Sequence, residues 1–350
     1  MSPITWVFKG GTCLKKCYFE TYRFSEDLDF SLTSAAPYDE PALLSMLREI
    51  ADLAHELSGI QFSSERTFVK PRRDKLGRST FQGKVAYRGP LMVPSWPTIL
   101  FDLTQHEPIQ AAPSSRRVSH AYTDGLPDRA VVTYSLEELL AEKTRALFER
   151  TRPRDLYDVM QLRENHASNV DFGAARRIFG RKCEAKEFDP PTHSDLVTHV
   201  QNSEELRADW NQMLAHQLPA LPPVDALLAR LEAALDWLDA APSEPAPLLP
   251  VPRRGDEEQV HPVYAQYWHV GVPVDLIRFA AANRLLVEFE YHGNMRRIEP
   301  YSLRLPKTGN LLLYGFELDA GRIKAFKIAE IGGLRVTEYS FVPRYMIELA

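Results

Sequence analysis

Two aspartates one residue apart, Asp27 and Asp29, follow the glycine pair Gly10-Gly11 near the start of the chain. Ile4 to Phe8 is short, apolar and β-branched at Ile4, Thr5 and Val7, which predicts a strand. Gly10 and Gly11 allow backbone conformations that other residues resist and let another group approach the main chain closely. Thr12 stands where it would cap a helix over Leu14 to Phe19. Phe24 to Phe30 leads into a second strand, on which side chains at i and i+2 share a face. Asp27 and Asp29 therefore project together, flanked by Leu28 and Phe30 as packing residues. The order of strand, turn, helix and acidic strand ties this region to an α+β fold.

Side-by-side carboxylates repel one another unless a cation lies between them. Mg²⁺ takes one or two carboxylates together with substrate phosphates. Backbone N–H groups at a glycine turn and helix start attract phosphate oxygens. The two features in sequence point to chemistry on a nucleoside triphosphate with metal ions. The plainer reading is a turn followed by a solvated acidic edge.

With 350 residues, 44% hydrophobic and 25% charged, the chain has room for two or three domains. Its net charge of −5 provides no global basic field, which leaves only a local patch to attract a polyanion. No apolar run approaches the roughly 20 residues of a membrane span, and the N-terminus has no signal-peptide pattern. Cys13, Cys17 and Cys183 make no disulfide framework; Cys13 and Cys17, at i and i+4, are expected to be buried small residues. A reducing cytoplasm is the expected location.

Residues 1–135 read as an α/β core. Its clear helix runs from Glu40 to Leu57 with a stripe of Leu43, Leu44, Leu47, Ile50, Leu53 and Leu57. Strands are expected at Ile60–Phe62, Gly83–Tyr87 and Thr98–Thr104. The basic stretch Lys70 to Arg78 reads as a β-turn region or a loop approaching a polyanion. Residues 136–240 are helical, opened by a capping box at Ser135 and Glu138. Five prolines mark 241–260 as a linker. Over 261–350 a helix at Val274–Asn283 precedes strands at Leu285–Tyr291, Arg296–Leu305, Leu311–Leu318 and Lys324–Ile328, which suggest a small antiparallel barrel.

Further candidates lie beyond the opening motif. Asp102 is a carboxylate inside an apolar strand, placed to be a third metal ligand or the base for an attacking hydroxyl. Its plainer reading is an exposed edge position. Lys143 lies between members of its helix's apolar stripe and would reach triphosphate as a point charge. Asp155 and Asp158 share a face at a helix start, where dipole and capping alone would also favour them and where Lys143 or Arg150 would equally serve as ion-pair partners.

Lys9-Gly10-Gly11-Thr12, Arg23 to Asp29, Glu142-Lys143 through Arg150, and Arg154 to Asp158 resemble, in order, the motifs of the AbiEii/AbiGii nucleotidyltransferase toxins. The resemblance covers about 4–238. It implies a polymerase-β-like nucleotidyltransferase core with a helical C-terminal half, NTP as donor and Mg²⁺ (or Mn²⁺) as metal. It also implies an abortive-infection or toxin–antitoxin role in phage defence, with a cognate antitoxin. By that resemblance Lys9, Gly10, Gly11, Thr12, Ser25 and Lys143 would hold nucleotide, Asp27 and Asp29 metal, and either Asp155 or Asp158 would be the later acidic residue. Family members usually carry a further helical stretch before the Lys-Gly-Gly-Thr segment, so a misassigned start or a missing helix is expected here.

The stretch 261–350 resembles a WYL domain at Asn283-Arg284, Arg296 to Pro300, Leu312 to Gly315 and Arg322 to Ile328, without an intact Trp-Tyr-Leu triplet. Such domains imply a nucleotide or nucleic-acid ligand. Arg296, Arg297, Lys324 and Lys327 would supply an anionic-ligand pocket and Tyr314 a stacking surface; solvated barrel residues are the plainer reading. The combined expectation is a Mg²⁺-dependent toxin transferring NMP to RNA, with a tRNA 3′ end as first acceptor and a protein hydroxyl as second. A regulator with an inactive transferase half is the competing class, and an interaction module for an antitoxin the third.

Overall fold

In the computed structural model the described residues are 5–19, 22–33, 38–89, 95–119, 130–239, 248–252, 257–259, 274–307 and 309–349. The chain divides into two compact units. One comprises Met1–Glu20, Phe24–Arg145 and Ala174–Pro190; the other comprises Thr21–Arg23, Ala146–Gly173 and Pro191–Ala350.

The first unit is built on a seven-stranded sheet. Its strands are β1 (Thr5–Lys9), β2 (Leu28–Thr33), β3 (Gln61–Arg73), β4 (Ser79–Arg88), β5 (Thr98–Thr104), β6 (Ser114–Arg117) and β7 (Ala130–Thr133). The order across the sheet is β3-β4-β5-β2-β1-β7-β6. β2 runs parallel to β5 and antiparallel to β1, while β3, β4 and β5 form an antiparallel set. Helix α1 (Gly10–Cys13) leaves β1 directly and widens into a π turn over Leu14–Tyr18. The helix expected from Leu14 thus begins at Gly10, and Thr12 lies inside it rather than capping it.

Helix α2 (Glu40–Ser58) covers one face of this sheet. The Asp39 carboxylate caps it by accepting the Ala42 N–H at 2.8 Å, and Gly59, at φ 70°, ends it. Leu43, Leu47 and Ala51 bury against Leu32, Val69, Phe81, Val85, Phe101 and Leu103. A Cβ at Gly83 would fall 2.5 Å from Leu47 Cδ1, so the glycine sets the distance of closest approach. The expected stripe is only half used: Ile50, Leu53 and Leu57 are exposed.

β3 is 13 residues long, far beyond Ile60–Phe62. A register shift between Ser63 and Phe68, closed by Thr67 Oγ1 donating to the Ser63 carbonyl at 2.8 Å, lets polar residues and Pro71 occupy this edge strand. The basic stretch Lys70 to Arg78 is the end of a β3–β4 hairpin, the β-turn region of the two expected readings.

Helix α3 (Leu136–Arg150) joins the units, and α5 (Phe172–Glu184) belongs mostly to the first; α4 (Pro153–Asn165) lies between them in sequence. The second unit adds α6 (His193–Gln201), α7 (Glu204–Leu214), α8 (Val224–Leu228) and α9 (Leu231–Ala234). Its sheet holds β8 (Glu258–Gln259), β9 (Leu285–Tyr291), β10 (Asn294–Leu305), β11 (Leu312–Glu317), β12 (Arg322–Lys327) and β13 (Ile331–Ser340), with α10 (Val274–Ala282) leading in. The main strand order is β12-β11-β10-β9-β13, and β8 pairs with β10. Among the described residues β12 and β13 do not pair, so the sheet is open and the expected barrel closure is corrected. Most of the expected linker, and all of 261–273, lies outside the described residues. Its described parts pair with the second unit, Gln259 with Arg304 and Leu249 with Tyr345.

Candidate active site

Strand register assembles the site in the first unit. Lys9 pairs with Asp29, Asp29 with Asp102, Asp102 with Gln82, and Gln82 with Lys70, across β1, β2, β5, β4 and β3. Register partners project from one face of a sheet. Asp29 and Asp102 therefore stand side by side on the face opposite α2, and Gln82 Nε2 donates to Asp102 Oδ1 at 3.3 Å. Burial pushes the Asp29 carboxyl up to about 7; Lys9 and Lys143 pull it down, and Asp102 and Glu142 add to the rise.

Gly10 closes one side. It sits at φ +76°, and a Cβ there would lie 2.1 Å from Asp29 Oδ2. Only glycine satisfies both the backbone conformation and the contact. The N-cap residue of α1, Lys9, makes no side-chain capping hydrogen bond to the helix. Thr12 Oγ1 donates to the Asp27 carbonyl at 2.6 Å, fixing the residue just before β2 against the helix. Ser25 and Asp27 are half-buried, and Lys143, on α3, is buried.

Beneath this lies a buried ion cluster. Lys9 donates to Glu107 and lies 3.6 Å from Glu142. Lys182 lies 3.0 Å from Glu138, 3.2 Å from Glu142 and 3.5 Å from Glu107, and Arg145 lies 3.5 Å from Glu107. Three carboxylates thus meet three cations. Burial alone would raise Glu107, but Lys9, Lys182 and Arg145 hold it well below the usual carboxylate range. Burial likewise works against the Lys9 ammonium, yet Glu107 and Glu142 raise it well above its ordinary value. Glu138 also accepts the Gln110 and Ala111 N–H groups; of the expected capping box the Ser135 hydroxyl accepts the Glu138 N–H at 3.3 Å.

Asp155 and Asp158 belong to the second unit, each bound by an arginine. Asp158 accepts both arms of Arg23 at 2.7 and 2.8 Å and the Tyr22 hydroxyl at 2.6 Å. Asp155 accepts Arg150 at 2.7 and 3.0 Å. In the second sheet Glu317 binds both Arg296 and Lys324, Glu288 binds Arg297, and Glu330 binds Lys327. Tyr314 is 1% exposed and donates to Glu257, which corrects its expected use as a stacking surface.

The family model described as nucleotidyl transferase AbiEii toxin, type IV TA system, matches residues 3–237. The chain belongs to the AbiEii family. It is a nucleotidyltransferase, and its family is that of type IV toxin–antitoxin toxins, which implies an NTP substrate and a cognate antitoxin. MenT4, a nucleotidyltransferase toxin of Mycobacterium tuberculosis H37Rv, is similar at 20% identity with a TM-score of 0.44, over 67% of this chain and 75% of that one. Proteasome accessory factor B/C of Arthrobacter aurescens is similar at 13% identity with a TM-score of 0.20, over 88% of this chain and 27% of that one. Among curated proteins none matches. No helix among the described residues is long and apolar enough to cross a membrane.

For this AbiEii chain the sequence reading missed Glu107, Glu138, Arg145 and Lys182 as parts of the site's foundation. A signal was present on α3, where Glu138, Glu142 and Arg145 recur at i, i+4 and i+7 on one face. Their partners Lys9, Glu107 and Lys182 are remote in sequence, and local spacing does not name them.

Proposed function

We propose that the chain moves a nucleoside monophosphate from an NTP to an RNA hydroxyl, with a tRNA 3′ end as the acceptor, in a Mg²⁺-dependent (or Mn²⁺-dependent) reaction. The observation that carries this reading is the registered Asp29–Asp102 pair with the Gly10 backbone closed against Asp29. Among the described residues no group of three or more His, Cys, Asp or Glu side chains is placed to cage a metal. An open pair of carboxylates still fits Mg²⁺, whose shell is completed by substrate phosphates and water. Held by Asp29 and Asp102 with Asp27 alongside, the cation would neutralise triphosphate charge at the reacting phosphorus.

The chain's own residues supply the rest. The first amides of α1, which the Lys9 side chain does not cap, take phosphate oxygens, and Gly10 admits them at close range. Lys143 offsets charge on the departing pyrophosphate. Asp102 accepts the proton of the acceptor hydroxyl as its oxygen bonds to the α-phosphorus and the bond to the β-phosphate oxygen breaks. Lys9 acts from below, holding the Asp29 strand through the ion cluster.

The test is to incubate the protein with each α-labelled NTP, Mg²⁺ and total RNA. Label is expected on RNA for one NTP and should vanish with EDTA. Label on protein with none on RNA would overturn the RNA acceptor in favour of a protein hydroxyl.

A further inference from the structure

The face that carries Asp29 and Asp102 continues beyond them as a strip of cations and aromatic rings. From Asp102 the row passes to Gln82 and then Lys70, and the next row pairs Lys84 with Phe68. Arg72 donates to Gln82 Oε1 at 2.6 Å and Gln82 donates to Asp102, so one hydrogen-bonded chain joins strip and site. The Lys70 and Lys84 ammonium groups lie 5.2 and 5.8 Å from the centre of the Phe68 ring. Arg66 and Arg88 lie 5.8 and 4.9 Å from that of Trp96. Arg66, Phe68, Lys70 and Arg72 are exposed.

Some cations elsewhere in the protein are ion-paired. Arg78 is paired with Asp74, Arg297 with Glu288 and Lys327 with Glu330. Among the described residues Arg66, Lys70, Arg72, Lys84 and Arg88 have no carboxylate partner. Charge and proline do blunt an edge strand, and on β3 Pro71 and the bulge already serve that end. Edge protection explains neither Lys84 and Arg88 on the inner strand β4 nor an exposed phenylalanine between two lysines. Cations interleaved with aromatic rings are what single-stranded nucleic acid selects: phosphates take the cations and bases stack on the rings. The strip runs against a net charge of −5, so it is a local feature of this face.

The geometry points to the β3–β4 face as the acceptor track, binding single-stranded nucleic acid on Lys70, Lys84, Arg66 and Arg72 with a base against Phe68 and delivering its terminal hydroxyl to Asp102. This rests on the RNA-acceptor reading above. Lys70 stands two strand spacings, roughly 10 Å, from the Asp102 position, so the strip begins next to the site.

The test measures binding of a fluorescently labelled single-stranded RNA 12-mer by anisotropy across a salt series. The proteins are wild type, Lys70→Ala/Lys84→Ala and Phe68→Ala, with NTP binding measured on each. Removing two cations should weaken RNA binding at least about tenfold at low salt and lower the log–log salt slope by about 1.4. Phe68→Ala should weaken it at least about fivefold without changing that slope. NTP binding should be unchanged in both variants. Wild-type protein that does not bind the RNA, variants that bind it as wild type does, or polyglutamate competing as well as RNA would each overturn the track. Variant-sensitive binding without label transfer to any RNA would keep the track and sink the acceptor reading, so the two failures are distinguishable.

Discussion

At Gly10 a left-handed φ of +76° and the Asp29 carboxylate 2.1 Å from the would-be Cβ act on one residue. Gly10→Ala must strain the backbone and displace Asp29. It should cost about 1–3 kcal/mol in urea unfolding and remove most NTP binding; a variant with wild-type stability and binding would contradict this. The need for glycine was legible from the turn alone. The contact with Asp29 was not, because it depends on how β1 and β2 pair. Asp29 carries the second consequence at this scale. Its folded pKa of about 7 exceeds the ordinary 3.8, so without metal the folded state holds a proton that the unfolded chain has released. That contribution to stability is complete below about pH 3.8 and is lost as pH rises to about 7. In metal-free buffer, wild-type stability should therefore fall more steeply from pH 5 to 7.5 than that of Asp29→Asn. Parallel curves would refute the assigned shift.

At the scale of elements, an ion cluster ties α3 and α5 to β1. Lys182 is 1% exposed and touches Glu107, Glu138 and Glu142. Lys182→Met would leave three buried carboxylates facing two cations, and breaking such an arrangement costs about 3–5 kcal/mol. A fall in the urea midpoint of that size is expected, with loss of transfer activity because Lys9 and Glu142 would shift. A change under about 1 kcal/mol would show that the cluster is solvated or redundant. Sequence periodicity located α2, β5 and β9 well, because their apolar residues repeat with a clean period. It missed β13, where Gly332-Gly333 imitates a turn, and β6, whose Ser-Ser-Arg-Arg run carries no apolar alternation. It also shortened β3, whose polar bulge breaks the alternation.

For the whole molecule, the mixed fold and the transferase chemistry were readable because both are announced by the order of a few motifs near the N-terminus. What those motifs do not contain is the assembly. Asp102 reaches Asp29 only through a parallel β2–β5 pairing; Arg150 was a readable partner for Asp155, five residues away, but Arg23 was not one for Asp158, 135 residues away. The barrel was expected from turn spacing, but turn spacing does not specify whether the end strands meet, and among the described residues they do not. Function in this protein therefore turns on whether the Asp29–Asp102 pair performs metal-dependent nucleotide transfer. The most direct measurement is label transfer from α-labelled NTP to RNA by wild type, Asp29→Asn and Asp102→Asn over a Mg²⁺ titration, each variant first shown to be folded. The account predicts transfer that rises with Mg²⁺ in the wild type and falls at least about a hundredfold in both variants. Undiminished transfer by a folded Asp29→Asn protein, or transfer by wild type that persists in EDTA, would contradict it.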